Sequence, residues 1–258
     1  MDVSIIIPVF NAATFVAARL GGFAEFLGEQ TFTWELIVVD DGSSDQTADL
    51  IRALDLPHCR VVESPENSGK FGAIARGVTE SSGRCVLFTD ADAPYDPRAV
   101  TYMASLILGQ GFQVVLGDRT LEDSTYGEKT GWLRRLTGKA FTYYIRLLVT
   151  GGIYDTQCGI KAFQGDIARQ LFPLLRELRF TGDVELVYLA LKYNLAIRRI
   201  PVLLVHHGPS SIRMLRDGLS MISASLRIRS RYRRGVYACP ELRDLASQRY
   251  WDGPESHA

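Results

Sequence analysis

Short apolar runs alternate with stretches of helical apolar spacing over residues 1–118, and that alternation constrains the fold more than any other feature. Val3–Val9, Glu35–Val39, Arg60–Glu63, Arg84–Thr89 and Phe112–Leu116 read as strands, because each is a short apolar-rich run bounded by turn residues. Helical patterns separate them at Thr14–Leu27, interrupted by Gly21-Gly22, and at Asp45–Leu54, Lys70–Thr79 and Asp96–Leu108. Ser43, with Gln46 three residues on, reads as a capping box opening the second helix. Strands joined through helices run parallel, and their crossovers place helices on both faces of the sheet. The expectation is therefore an α/β, Rossmann-like fold with a mainly parallel sheet.

After Asp118 the pattern changes. Leu121–Thr130 is polar and turn-rich, Trp132–Val149 mixes aromatic, apolar and basic residues, and Asp155–Gly159 is another polar turn. Helical spacing returns at Val184–Tyr193, an apolar strand at Ile200–Val205, and a last helix at Met214–Tyr232, ending among Arg227, Arg229, Arg231, Arg233 and Arg234. One domain, 1–237, is expected, with halves meeting at 118/119, followed by a polar tail, 238–258.

With 258 residues, 47% of them hydrophobic, the chain can bury one substantial core. Its formal net charge of zero gives no whole-chain field to recruit nucleic acid. Cys59, Cys85, Cys158 and Cys239 are scattered without a C-x-x-C pair, against structural zinc or a disulfide framework and in keeping with a reducing compartment. No signal-peptide pattern and no run of about 18 apolar residues is present, so a cytoplasmic, soluble or membrane-peripheral protein is expected.

The ends of the strands carry the chemistry. Ligands of open α/β sheets collect at the carboxyl edge, and Asp90-Ala91-Asp92 follows the fourth strand there. Paired carboxylates suit Mg²⁺ or Mn²⁺, which complete their coordination with water and substrate phosphates. Pro8-Val9-Phe10-Asn11 ends the first strand and Asp40-Asp41-Gly42-Ser43 the second, the latter either a capped turn or a nucleoside contact. Asn67-Ser68-Gly69-Lys70-Phe71-Gly72 opens the third helix with glycines and a lysine, suited to a diphosphate.

This constellation resembles the family 2 glycosyltransferases. It is carried by Ile5–Asn11, Val38–Asp45, Asn67–Gly72, Asp90–Asp92 and Gly117-Asp118-Arg119. Asp155–Phe163, Gly182–Leu186 and Arg227–Tyr232 resemble the subgroup that glycosylates polyprenyl phosphates. The resemblance implies the A-type nucleotide-sugar fold, a Mg²⁺ or Mn²⁺ cofactor, and inverting transfer of a hexose, glucose from UDP-glucose, to a polyprenyl or dolichyl phosphate. It also implies peripheral contact with the cytoplasmic face of a membrane. Transfer of mannose from GDP-mannose, a different acceptor, and a non-catalytic nucleotide-binding module are the alternatives. A nucleotidyltransferase would carry a Gly-rich Arg–Lys loop, which Asn11-Ala12-Ala13-Thr14 is not.

Carried over by position, the resemblance has Asp40 holding the base while Pro8, Phe10 and Asn11 line the nucleoside pocket. Asp90 and Asp92 would hold the metal, and Lys70 and Arg119 would lie near substrate phosphates. Three positions depart from the family pattern. Ala12 stands where a Glu is usual, and Pro94 where the mannosyl branch often has Gln. Pro209-Ser210-Ser211 replaces a Gly-Ser-Lys, leaving Arg213 as the nearest cation.

A phosphate monoester has a second pKa near 6 and is largely dianionic at neutral pH, so it attacks without a general base. Asp183 and Glu185 then read as acceptor-positioning or structural groups, with proton acceptor as the other reading. His206-His207 reads as a metal ligand or a polar loop, and Cys158 as packing. Trp132–Val149 and the terminal arginines suit anionic lipid; a packed helix with a solvated basic face is the alternative.

Overall fold

The computed structural model describes residues 1–92, 94–124, 155–179, 181–205 and 214–248. In chain order the elements are β1 (Val3–Val9), α1 (Val16–Gly28), β2 (Trp34–Asp40), α2 (Thr47–Ala53), β3 (Cys59–Glu63), α3 (Lys70–Glu80), β4 (Cys85–Phe88) and α4 (Arg98–Gln110). There follow β5 (Val114–Asp118), β6 (Lys161–Gln164), α5 (Gly165–Leu171), α6 (Gly182–Lys192), β7 (Ile197–Pro201), α7 (Met214–Arg233) and α8 (Pro240–Ser247). The strands form one sheet in the order β3-β2-β1-β4-β6-β5-β7. β6 is antiparallel to both neighbours, and the other pairings are parallel.

Strands buried on both faces need apolar side chains on both, and β1 supplies them. Val3, Ile5, Ile7 and Val9 pack with α1, α2 and α4, while Ile6 turns to the opposite layer. That layer holds α3, α5 and α6, together with Ile228 of α7 and Leu242 and Ala246 of α8.

Several expectations need correction. α1 passes through Gly21-Gly22 without interruption. Gln46 makes no side-chain cap on α2; the Ser43 hydroxyl donates to Asp40, and Asp45 Oδ1 accepts the Thr47 N–H at 3.1 Å. The last strand starts earlier than Ile200. Arg198 lies over the Phe112 ring at 5.9 Å and Arg199 pairs with Asp118 at 3.0 Å, so two arginines sit in this strand, which ends at Pro201 and not at Val205. β6 and α5 went unread. Part of the expected polar tail is α8, an amphipathic helix with Leu242 fully buried. The basic end of α7 is not wholly solvated either, since Arg227 and Arg231 both reach Glu177, at 2.8 and 2.7 Å. Among the described residues no helix is long and apolar enough to cross a membrane.

Candidate active site

Register brings the strand-end loops together. β1 aligns Val9 with Asp40 of β2, and Ile6 with Phe88 of β4, so the loops after these strands leave the sheet at one edge. Antiparallel β6 pairs Lys161 with Phe88. The residues before Lys161 therefore enter the sheet where β4 leaves it, beside Asp90.

A cleft of about 1020 Å³ opens at this edge, lined among others by Pro8, Phe10, Asp41, Lys70, Asp90 and Asp92. Asn11 ties the first loop to the second. Its N–H donates to Ser43 Oγ at 2.9 Å, its Oδ1 accepts the Ser44 N–H at 2.9 Å, and its φ of 48° is left-handed. Asp40 and Asp41 divide their tasks. Asp40 accepts the Ser43 N–H at 3.1 Å inside its own turn, whereas Asp41 reaches the third loop, accepting the Ser68 and Gly69 N–H groups at 2.9 and 2.8 Å. Asp41 is thus the cleft-lining acid of the pair.

Lys70 heads α3 and pairs with Asp90 at 2.5 Å. Burial works against its ammonium, but the charges of Asp90 and Asp183 outweigh it and hold its pKa above the ordinary lysine value. Burial, helped by the charge of Asp90, pushes the Asp92 carboxyl above the usual carboxylate range. Two carboxylates that repel each other across a half-buried cleft suit a divalent cation, which relieves the repulsion. Among the described residues no third carboxylate, histidine or cysteine joins them, so Asp90 and Asp92 would share the ion with water and substrate phosphate.

The turn Asp155–Gly159 backs this pair. The Gly159 N–H donates to the Tyr95 hydroxyl at 2.9 Å, and a Cβ at Gly159 would lie 1.8 Å from Asp90 Oδ2. A side chain at this position would force the Asp90 carboxylate to move. Gly159→Ala is expected to displace Asp90 and lower kcat/KM by about 10- to 100-fold, the cost of a misplaced reacting group. Steady-state kinetics with a metal titration would check it, and wild-type values would mean that Asp90 swings aside freely. From the end of β5, Arg119 is clamped by Asp155 of this turn through Nε at 2.7 Å and Nη2 at 2.8 Å. Burial raises the Cys158 thiol to about 11, so it stays protonated and serves packing.

Asp183 and Glu185 are buried in the first turn of α6 and do not line the cleft. Asp183 pairs with the fully buried Lys161, whose ammonium also donates to the Cys158 carbonyl at 2.6 Å. Glu185 accepts the Arg176 and Glu177 N–H groups at 2.7 Å each, and the Tyr237 hydroxyl. Both carboxylates are thus engaged by donors of the fold.

Two cleft-lining cations escaped the sequence reading, Arg19 of α1 and Arg179 before α6. Arg19 sits one turn beyond Phe15 in a helix that read only as packing, and Arg179 lies in a stretch with no periodic signal. Ala12 also lines the cleft, so the usual Glu position falls on a buried methyl group. His206, His207, Arg213 and Trp132–Val149 lie outside the described residues.

Comparison with known proteins finds relatives over most of the chain. Dolichyl-phosphate beta-glucosyltransferase of Dictyostelium discoideum is 32% identical over 247 residues, covering 91% of this chain and 76% of that protein. The Homo sapiens protein of the same name is 29% identical over 259 residues, covering 95% and 80%. Glucosyl-3-phosphoglycerate synthase from Mycobacterium tuberculosis, in complex with Mn²⁺, UDP and glucosyl-3-phosphoglycerate, superposes with a TM-score of 0.65 at 22% identity. That match covers 87% of this chain and 78% of the other, and it shows a shared fold. A family model described as Glycosyl transferase family 2 matches residues 4–172, from β1 through α5, and the chain belongs to that family.

Proposed function

We propose that the protein transfers glucose from UDP-glucose to a polyprenyl phosphate of the dolichyl type, inverting the anomeric carbon. The observation that carries this reading is the accounting of carboxylates. Among the described residues the acids lining the cleft are Asp41, Asp90 and Asp92. Asp41 is committed to the Ser68–Gly69 backbone, and Asp90 and Asp92 fit a cation. Asp183 and Glu185 are engaged by donors of the fold. Among the described residues lining the cleft no carboxylate is left over to deprotonate a sugar hydroxyl, and a phosphate dianion needs none. Its oxygen attacks the anomeric carbon as the bond to the UDP oxygen breaks, and no proton changes hands.

A bound Mg²⁺ or Mn²⁺ would supply charge stabilisation to the departing diphosphate. Asp90 and Asp92 would hold it, and Lys70 would add a cation from the start of α3. Pro8 and Phe10 form the wall of the nucleoside pocket, and Asp40 steadies the turn that closes it. The names of the curated relatives support the glucosyl and dolichyl-phosphate assignments. The acceptor brings the protein to the cytoplasmic face of a membrane. Arg227 and Arg231 are engaged by Glu177, while the exposed Arg233 and Arg234, with exposed Leu226 and Val236, offer basic and apolar surface at and just after the end of α7. Each such cation contributes about 1 kcal/mol near anionic lipid.

The test is a donor panel of UDP-glucose and GDP-mannose, with Mn²⁺ and a short polyprenyl phosphate on anionic or neutral vesicles. Lipid-linked sugar is read by mass spectrometry. A β-glucosyl phosphate lipid formed from UDP-glucose, faster on anionic vesicles and lost in chelator, is expected. Glycosylation of a neutral alcohol with the phosphate ignored would overturn the acceptor assignment.

A further inference from the structure

Basic groups around the active edge are mostly neutralised by carboxylates of the fold. Lys70 pairs with Asp90, Arg119 with Asp155, Lys161 with Asp183 and Arg199 with Asp118. Arg179 differs. It is exposed and lines the cleft, and among the described residues no carboxylate lies at ion-pair distance from its guanidinium. The acid nearest in sequence, Glu177, already takes Arg227 at 2.8 Å and Arg231 at 2.7 Å.

The backbone that presents Arg179 is tightly held. The Arg176 and Glu177 N–H groups donate to Glu185 at 2.7 Å each. The Leu178 carbonyl accepts the Phe71 and Gly72 N–H groups at 2.9 and 3.3 Å, and the Arg179 carbonyl accepts the Gly182 N–H at 3.1 Å. The Arg179 stem also rests on α3: its Cγ lies 2.8 Å from where a Cβ on Gly69 would be, a clash avoided because that residue is a glycine, at φ +92°. An exposed arginine normally loses conformational entropy when it binds an anion, and here much of that ordering is already present.

We propose that Arg179 binds the phosphate of the acceptor, a role that rests on the reading of the acceptor as a phosphate monoester. A guanidinium presents paired N–H donors matched to phosphate oxygens. Two features favour the acceptor over the donor diphosphate. Arg179 comes from the segment entering α6, in the half of the chain that does not form the nucleoside loops. It also follows Leu178, whose side chain is 38% exposed. A cation beside an exposed apolar side chain matches a phosphate that carries a hydrocarbon chain.

Arg179→Gln and Arg179→Lys test the assignment, with thermal midpoints as folding controls. KM for a short polyprenyl phosphate and for 3-phosphoglycerate is compared with the affinity for UDP in saturating Mn²⁺, measured by calorimetry. The glutamine variant is expected to raise the KM for the lipid phosphate about 10-fold or more, as the loss of a charged hydrogen-bonding group predicts. UDP affinity stays unchanged, and lysine restores part of the loss. Use of 3-phosphoglycerate by the wild type, with the same dependence on Arg179, would make the ligand a phosphate of any source; its neglect ties the site to lipid phosphate. An unchanged acceptor KM overturns the proposal, as does a fall in UDP affinity that accounts for the whole effect. Wild-type protein that glycosylates neither acceptor would instead sink the functional reading, and the acceptor role of Arg179 with it.

Discussion

Replacing Asp92 by Asn is expected to lower transfer on the order of 10³-fold, because the charge stabilisation lost with a bound divalent ion amounts to several kcal/mol. Folding should not suffer. Burial and the charge of Asp90 hold the Asp92 carboxyl above its ordinary pKa. A group raised in the folded state favours folding while it is protonated, and that contribution is lost as pH rises through the folded value. At neutral pH the ionised Asp92 therefore costs stability, and the variant in chelator should melt at or above the wild-type temperature. The difference should vanish in acid, below the ordinary carboxylate range. Mn²⁺ should raise the midpoint of the wild type and do little for the variant, because only the wild type holds the ion tightly. Paired melting curves and kcat/KM values decide the matter. Wild-type turnover by the variant, or full activity of the wild type in chelator, would remove the metal from these residues.

Lys161→Met should be the most damaging single substitution for stability, costing about 3–5 kcal/mol, the range for breaking a buried ion pair by removing one partner. Lys161 is fully buried, and its ammonium serves Asp183 and the Cys158 carbonyl. Methionine fills the volume and takes from Asp183, itself 4% exposed, its ion-pair partner, leaving the Lys70 ammonium, beyond ion-pair distance, as the charge that still acts on it. Pairing the change with Asp183→Leu should recover most of the loss, since the cost lies in the stranded carboxylate and not in the missing attraction. Urea unfolding of the two variants measures both quantities. A single variant within about 1 kcal/mol of the wild type would show that Asp183 finds water or protonates at little cost. Activity reports separately, because the Cys158 carbonyl belongs to the turn that backs Asp90.

What could be read from the sequence was local. β1, β2 and β4 are apolar-rich runs, and Asp90 and Asp92 follow the third of them, so the edge and its acids were visible before any packing was known. β6 was not. Its four residues start with Lys161, and a lysine reads as surface until Asp183, far along the chain, neutralises it. β7 was displaced for the same reason, its two arginines being answered by Asp118 and the ring of Phe112. Ser43 followed by Gln46 matched a capping pattern, but the Ser43 oxygen accepts the Asn11 N–H and its hydroxyl donates to Asp40, so it caps no helical N–H. Arg19 and Arg179 carry no periodic signal; only the fold brings them into one cleft.

The place of β6 has a consequence for how the chain assembles. β4 and β5 are separated in sequence only by α4 and its loops, yet they never pair, because β6 lies between them and bonds to both. The sheet is therefore incomplete until residues 161–164 arrive. A fragment ending at Asp118 would expose β4 along a hydrogen-bonding edge and leave β5 without a neighbour. The halves on either side of Asp118 are thus not separable folding units, and contacts this distant in sequence are expected to slow folding. A nascent chain stalled before β6 emerges would present an unpaired apolar edge, the kind that recruits chaperones or aggregates.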